Sequence, residues 1–183
     1  AKLCVRGNIR LYEICREYHI PYKKLGKLTV AVEEEEIEEL EKLMRAGEEN
    51  GVENLKFLNS EEVKELEPNV EVERALYSPS TGIVEPDELM NHFYSQIRKN
   101  NATLAMETEV TGVKKIDNSY TISGVSVGEK FQINAKTVIN CAGLYSDKVA
   151  AMAGLETDKI GYRIYPCKGD YFRVSGKPLA KML

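Results

Sequence analysis

At 183 residues the chain is long enough for one well-buried domain, or for one domain with part of a second, and its 43% hydrophobic and 30% charged residues exclude an extended disordered polymer. Acidic residues outnumber basic ones, 29 to 25, for a net charge of −4; this argues against a nucleic-acid binder, which would gather a basic excess on one face, although Lys23, Lys24 and Lys27 could form a local basic patch. No apolar run approaches the roughly 20 residues of a membrane span, and no charged-then-apolar leader opens the chain.

In chain order, Leu3, Gly7, Leu11, Ile14, Cys15 and Tyr18 recur at three- and four-residue spacing and predict a helix over residues 1–18. No capping residue precedes it, which leads us to expect a piece of a longer polypeptide. Pro21 stops this helix, Gly26 turns the chain, and residues 27–32 read as β structure. Residues 33–50 give the clearest helical pattern: Ile37, Leu40, Leu43 and Met44 share one face, while Glu38/Lys42 and Glu41/Arg45 make i, i+4 pairs on the other. The acidic run 33–36 suits a solvated first turn facing the positive end of the helix dipole better than it suits a metal site, because adjacent helical residues do not converge on one point.

A short helix over residues 60–67 ends at Pro68, and an extended region begins at Leu76 and Tyr77. A turn at Gly82 and an extended Ile83-Val84 then lead to a helix opened by Pro86. Leu89, Phe93 and Ile97 are expected to face inward there, and Arg98 and Lys99 suit the negative end of its dipole. Four strands follow, over residues 103–106, 109–116, 120–127 and 130–133, separated by Asp117-Asn118-Ser119 and Gly128, in the manner of a meander. Residues 137–141 read as a buried strand that runs through Ala142 and Gly143 into a helix ending near Ala153, and residues 162–174 read as further β structure. The expected fold class is α+β.

The junction at Ala142-Gly143 is the most chemical-looking feature, because a helix opening directly from a strand offers free N–H groups and a positive dipole to phosphate. The same residues also make an ordinary βα turn that needs glycine for geometry alone. No GxGxxG or GxxxxGK[ST] occurs in the chain, nor does GxSxG. His19 and His92 lie on helical segments without a partnered acid nearby and read as surface or helix-end residues. Cys4, Cys15, Cys141 and Cys167 lack CxxC spacing; they are expected to be reduced and mostly buried, as in a cytoplasmic protein. No metal site is indicated.

Four stretches carry a resemblance: Lys2-Leu-Cys-Val-Arg-Gly followed by Leu11-Tyr-Glu; Lys24-Leu-Gly-Lys-Leu-Thr-Val-Ala-Val-Glu-Glu-Glu-Glu-Ile; Thr81-Gly-Ile-Val-Glu; and Val138-Ile-Asn-Cys-Ala-Gly-Leu-Tyr-Ser-Asp with Pro166-Cys-Lys-Gly-Asp-Tyr-Phe. Together they are similar to the L-2-hydroxyglutarate dehydrogenase/oxidase family. That family lies within the D-amino-acid oxidase-like flavoproteins, which include FAD-dependent glycerol-3-phosphate dehydrogenase and glycine oxidase. The resemblance implies a truncated two-domain flavoprotein, with residues 1–20 and 80–155 from the FAD domain and 21–79 and 156–183 from the substrate domain. The Rossmann strand with its glycine fingerprint and a C-terminal segment would lie outside this sequence, so the chain alone is expected to bind FAD weakly or not at all and to be inactive.

Position by position, Val110 resembles a valine whose backbone faces the adenine of FAD. Cys141, Ala142 and Gly143 resemble the turn that backs the cofactor, and Leu144, Tyr145 and Ser146 open the helix beside it. Lys168 and Tyr171, in a motif where relatives carry arginine or lysine, and Arg163 are the implied substrate-side residues, with Arg173 a further cation for a carboxylate. The implied reaction oxidises a small 2-hydroxy acid such as L-2-hydroxyglutarate by hydride transfer to flavin, with oxygen or a quinone as electron acceptor. The catalytic base is unassigned, and the full-length protein could be cytoplasmic or peripheral to a membrane. Glycerol 3-phosphate or an amino acid is the alternative substrate, and a non-catalytic nucleotide- or partner-binding domain is the alternative of a different class.

Overall fold

The computed structural model describes residues 2–170, 175–176 and 180–181. Two compact units are present, Ala1–Asn101 with Arg173–Leu183, and Ala102–Phe172. The mixture of helices and antiparallel sheets agrees with the α+β expectation.

The first unit opens with α1 (Lys2–Glu17), whose Asn8 amide and Tyr12 hydroxyl both donate to the Ser80 carbonyl, at 3.2 and 3.0 Å. After Pro21, β1 (Tyr22–Lys23) pairs antiparallel with β5 (Ile83–Val84). Gly82 precedes β5 at a point where a β-carbon would strike the Lys23 carbonyl and the Tyr12 hydroxyl, so only glycine fits that approach. The main sheet has the order β2-β4-β3, from β2 (Lys27–Ala31), β3 (Lys56–Asn59) and β4 (Arg74–Ser78), with both pairings antiparallel.

Because successive strand residues point to opposite faces, Ala75 and Leu76 on the central strand enter different cores. Ala75 packs with Leu58, Val63 and Val72 under α3 (Ser60–Leu66), whereas Leu76 packs with Ala31 and Leu40 under α2 (Ile37–Glu49). The starts of both helices are defined by local hydrogen bonds. The Asn59 side chain accepts from the Glu62 N–H at 2.9 Å and the Glu62 carboxylate accepts from the Asn59 N–H at 2.9 Å, forming a reciprocal capping box. Ahead of α2, the Glu36 carboxylate accepts from the Val32 and Glu33 N–H groups, so the acidic run makes a first-turn cap, as the charge pattern suggested.

Helix α4 (Pro86–Lys99) departs from its pattern: Leu89 and Ile97 are half-buried, but Phe93 is exposed, because no apolar element among the described residues packs on that face. The His92 ring instead lies 4.0 Å from the Tyr18 ring.

The second unit is a meander of β6 (Thr108–Ile116), β7 (Ser119–Ser126) and β8 (Glu129–Ala135), followed by α5 (Ser146–Met152), which packs on β6. Val127 and Gly128 both have positive φ, the geometry of a tight hairpin turn that follows the natural strand twist. Three expected strands do not form. Residues 103–106 are irregular, and a left-handed Glu107 redirects the chain just before β6. Residues 137–141 and 162–170 have strand-like composition but no ladder partner among the described residues, and without one a strand's backbone groups stay unpaired. The remainder of the last expected strand lies outside the described residues. All four cysteines are free, but only Cys15 is buried; Cys4, Cys141 and Cys167 are exposed, because α1 turns Cys4 outward and the segments bearing the other two are not covered by a sheet. No helix among the described residues is long and apolar enough to cross a membrane.

Candidate functional site

In the second unit, an edge strand and a braced turn face each other. On β6 the pairing with β7 shifts register between Val110 and Gly112, leaving Thr111 as the extra residue of a bulge. Val110 is opposite Gly124, whose other neighbour is Phe131 of β8, and a β-carbon at Gly124 would strike both the Glu109 carbonyl and the Phe131 ring. The glycine thus lets the aromatic ring and the bulged strand close on one point.

Opposite lies the turn that enters α5. Asn140 braces it from inside: its side-chain oxygen accepts from the Ala142 N–H at 3.2 Å, and its amide donates to the Ser146 carbonyl at 2.8 Å. Within this loop the Tyr145 N–H donates to the Ala142 carbonyl at 3.0 Å. Gly143 has φ +56°, and a β-carbon there would meet nothing within 4 Å, so the bare backbone faces open space. A cavity of about 610 Å³ separates strand and turn, within the ordinary size range for small-molecule sites. Its wall is largely apolar, from Val110, Val138, Ile139 and Ala142, with Glu109 and Lys148 as its charged members. The Lys148 ammonium lies 4.8 Å from the centre of the Tyr145 ring.

Of the residues expected at the cofactor, Val110, Cys141 and Ala142 line this one cavity. Gly143 and the exposed Leu144 continue the turn, and Ser146 is the anchor that Asn140 holds. The substrate-side residues are arranged differently. Arg163 pairs with Asp158 at 3.0 Å, and this hydrogen bond is the first cause holding its guanidinium further toward the protonated form. Lys168 pairs with Asp170 at 2.8 Å, and both are exposed. Tyr171 and Arg173 lie outside the described residues. Two residues of this site went unnoticed in the sequence, Asn140 and Asp147. The Asp147 carboxylate accepts from the Lys148 N–H at 2.7 Å and from the Ile164 N–H at 3.2 Å. The available signal was their type, since Asn and Asp beside a glycine turn commonly bond the local backbone.

The sequence profile of the FAD-dependent oxidoreductase family matches residues 1–183. The chain belongs to that family. The L-2-hydroxyglutarate dehydrogenase of Nematostella vectensis is 38% identical over 181 residues, an alignment that covers 93% of this chain and 39% of that protein. A glycerol 3-phosphate dehydrogenase of Caloramator mitchellensis is 34% identical over 173 residues, covering 93% of this chain and 34% of its own length. Among solved structures, a dithionite-reduced L-α-glycerophosphate oxidase of Mycoplasma pneumoniae with FAD bound superposes with a TM-score of 0.60 at 28% identity, covering 74% of this chain and 36% of that one. The chain therefore spans about two fifths of the length of the curated relatives it matches. The resemblance read from the four motif stretches is borne out at the level of the family.

Proposed function

We propose that the complete protein is an FAD-dependent oxidoreductase that oxidises a small 2-hydroxy acid, with L-2-hydroxyglutarate as the substrate, to the 2-oxo acid. The observation that carries this reading is the bulged edge strand at Val110 facing the Asn140-braced turn across one apolar cavity, in a chain 38% identical to an L-2-hydroxyglutarate dehydrogenase. The residues present fit the nucleotide side of FAD. Among the described residues, edge strand β6 pairs only with β7 and keeps backbone groups free on its outer side for a purine edge. Val110 and Ala142 offer apolar contact to a flat ring, and Gly143 lets a cofactor approach the main chain. Bound FAD supplies the hydride acceptor.

For the rest of the reaction, Arg163 and Lys168, with Tyr171 and Arg173, are our candidates for holding the substrate carboxylates, a task for which cationic donors are suited. In this reading residues 1–20 and 80–155 belong to the FAD domain and 21–79 and 156–183 to the substrate domain. We place the protein in a reducing compartment, the cytoplasm, on account of its free thiols, and its electrons pass to oxygen or a quinone. A second substrate, glycerol 3-phosphate, is favoured by the 34% identity to a dehydrogenase of that name.

The test is an anaerobic titration of the full-length protein followed by its visible spectrum. Bleaching of a bound flavin by L-2-hydroxyglutarate and not by glycerol 3-phosphate is the expected result. Bleaching by glycerol 3-phosphate alone moves the protein to the second substrate, and a colourless protein defeats the oxidoreductase reading.

A further inference from the structure

We propose that Asp147 is a positioning residue that ties the cofactor turn to the segment carrying the substrate-side cations, so that one carboxylate sets the distance between the two halves of the site. This rests on the reading of the Ala142-Gly143 turn as part of the FAD site. The carboxylate divides its two oxygens between two jobs. Oδ1 accepts from the Lys148 N–H at 2.7 Å within the first turn of α5; Oδ2 accepts from the Ile164 N–H at 3.2 Å, seventeen residues further along the chain.

The second bond matters because of what surrounds it. Residues 163–170 form neither helix nor strand, and among the described residues this bond from Ile164 is the one hydrogen bond made by their main chain. The preceding residues are held by their own turns, in which the Lys159 and Tyr162 N–H groups donate to the Glu156 and Thr157 carbonyls. Arg163 immediately precedes the tether, and Lys168 follows it by four residues. The side-chain pairs Arg163–Asp158 and Lys168–Asp170 do not attach it to the turn. Asp147 also contributes, behind Asp158 and Tyr165, to the field that favours the charged form of Arg163.

An aspartate is the side chain this geometry requires. Serine supplies one oxygen on a shorter side chain, too short for Ile164. Asparagine keeps a single acceptor, and its NH₂ cannot receive a second N–H.

The test uses the full-length, flavin-loaded protein with Asp147→Ser, Asp147→Asn and Asp147→Ala. In Asp147→Ser, flavin content and unfolding midpoint should stay near those of the unaltered protein. The KM for L-2-hydroxyglutarate should rise about three- to tenfold, as expected for one ordinary hydrogen bond lost, with kcat changed less than about twofold. Hydrogen exchange over residues 162–170, measured without substrate, should quicken in Asp147→Ser and Asp147→Ala. Unchanged exchange in Asp147→Ser overturns the tether. Faster exchange with an unchanged KM, for whichever substrate bleaches the flavin, overturns the positioning role. A full-length protein that holds no flavin sinks the FAD reading instead, and the exchange measurement, which needs no cofactor, still decides the tether.

Discussion

Gly124→Ala is the sharpest probe of the strand that carries Val110. The added methyl would land on the Glu109 carbonyl of β6 and on the Phe131 ring of β8. The ring can swing aside, but the carbonyl belongs to the ladder beside the bulge and cannot move without shifting Val110. Forcing an extra methyl into such a space costs about 1–3 kcal/mol. Against this, replacing glycine stabilises by about 0.4–1 kcal/mol through the unfolded chain. At mid-range values the difference leaves a net loss of about 1 kcal/mol, together with displacement of Val110 from the cavity wall. Urea unfolding of the full-length protein, with flavin release followed by fluorescence, should therefore show a lower midpoint and a reduced flavin content as purified. A variant with unchanged or raised stability and full flavin content would refute both the packing argument and the placement of Val110 at the cofactor.

Gly143→Ala should lose about 1–2 kcal/mol because its φ of +56° is left-handed, whereas Gly143→Asn should recover most of the stability and still bind less flavin; the absorbance ratio at equal protein concentration distinguishes the two effects. Asn140→Ala removes both hydrogen bonds that brace the turn and should cost about 1–3 kcal/mol at about 0.5–1.5 each, with a measurable rise in the FAD dissociation constant by equilibrium dialysis. Burial pushes the Cys15 thiol up. With the folded pKa above the unfolded one, its contribution is fully present below the ordinary thiol value near ~8.5 and is lost as pH rises through the folded value. Unfolding midpoints should thus fall in alkaline buffer, and Cys15→Ala should flatten that slope. In the 183-residue chain a thiol reagent should label Cys4, Cys141 and Cys167 quickly and Cys15 only on unfolding.

What could be read in the sequence was what is set locally. The stripe Ile37, Leu40 and Met44 produced α2, Pro86 opened α4, and the turn residues between β6, β7 and β8 gave the meander, because each depends on neighbours within a few residues. Residues 137–141 show the limit. Thr137-Val-Ile is as apolar as a buried strand, but a strand exists only with a partner, and pairing is a long-range property that composition does not encode. Phe93 failed for the same reason, since an apolar stripe does not say what covers it. Of the residues around the candidate site, Val110 and Cys141-Ala142-Gly143 were singled out through motif resemblance, while Asn140 and Asp147 were not. Their contribution lies in which backbone groups they reach, and the Asp147–Ile164 bond crosses seventeen residues.

The uncovered run near the turn also has a practical side. Ile139 is 81% exposed, with Leu144 and Tyr145 also in solvent, and Thr137-Val-Ile-Asn has the uncharged, β-prone character that templates stacking between identical chains. Lys136 and Lys148 stand at either end of this stretch, where like charges discourage two copies from aligning in register. Concentrated stocks of the 183-residue chain are therefore best kept at low ionic strength, because added salt screens that repulsion, and sulfate or phosphate also strengthens the attraction between the apolar strips.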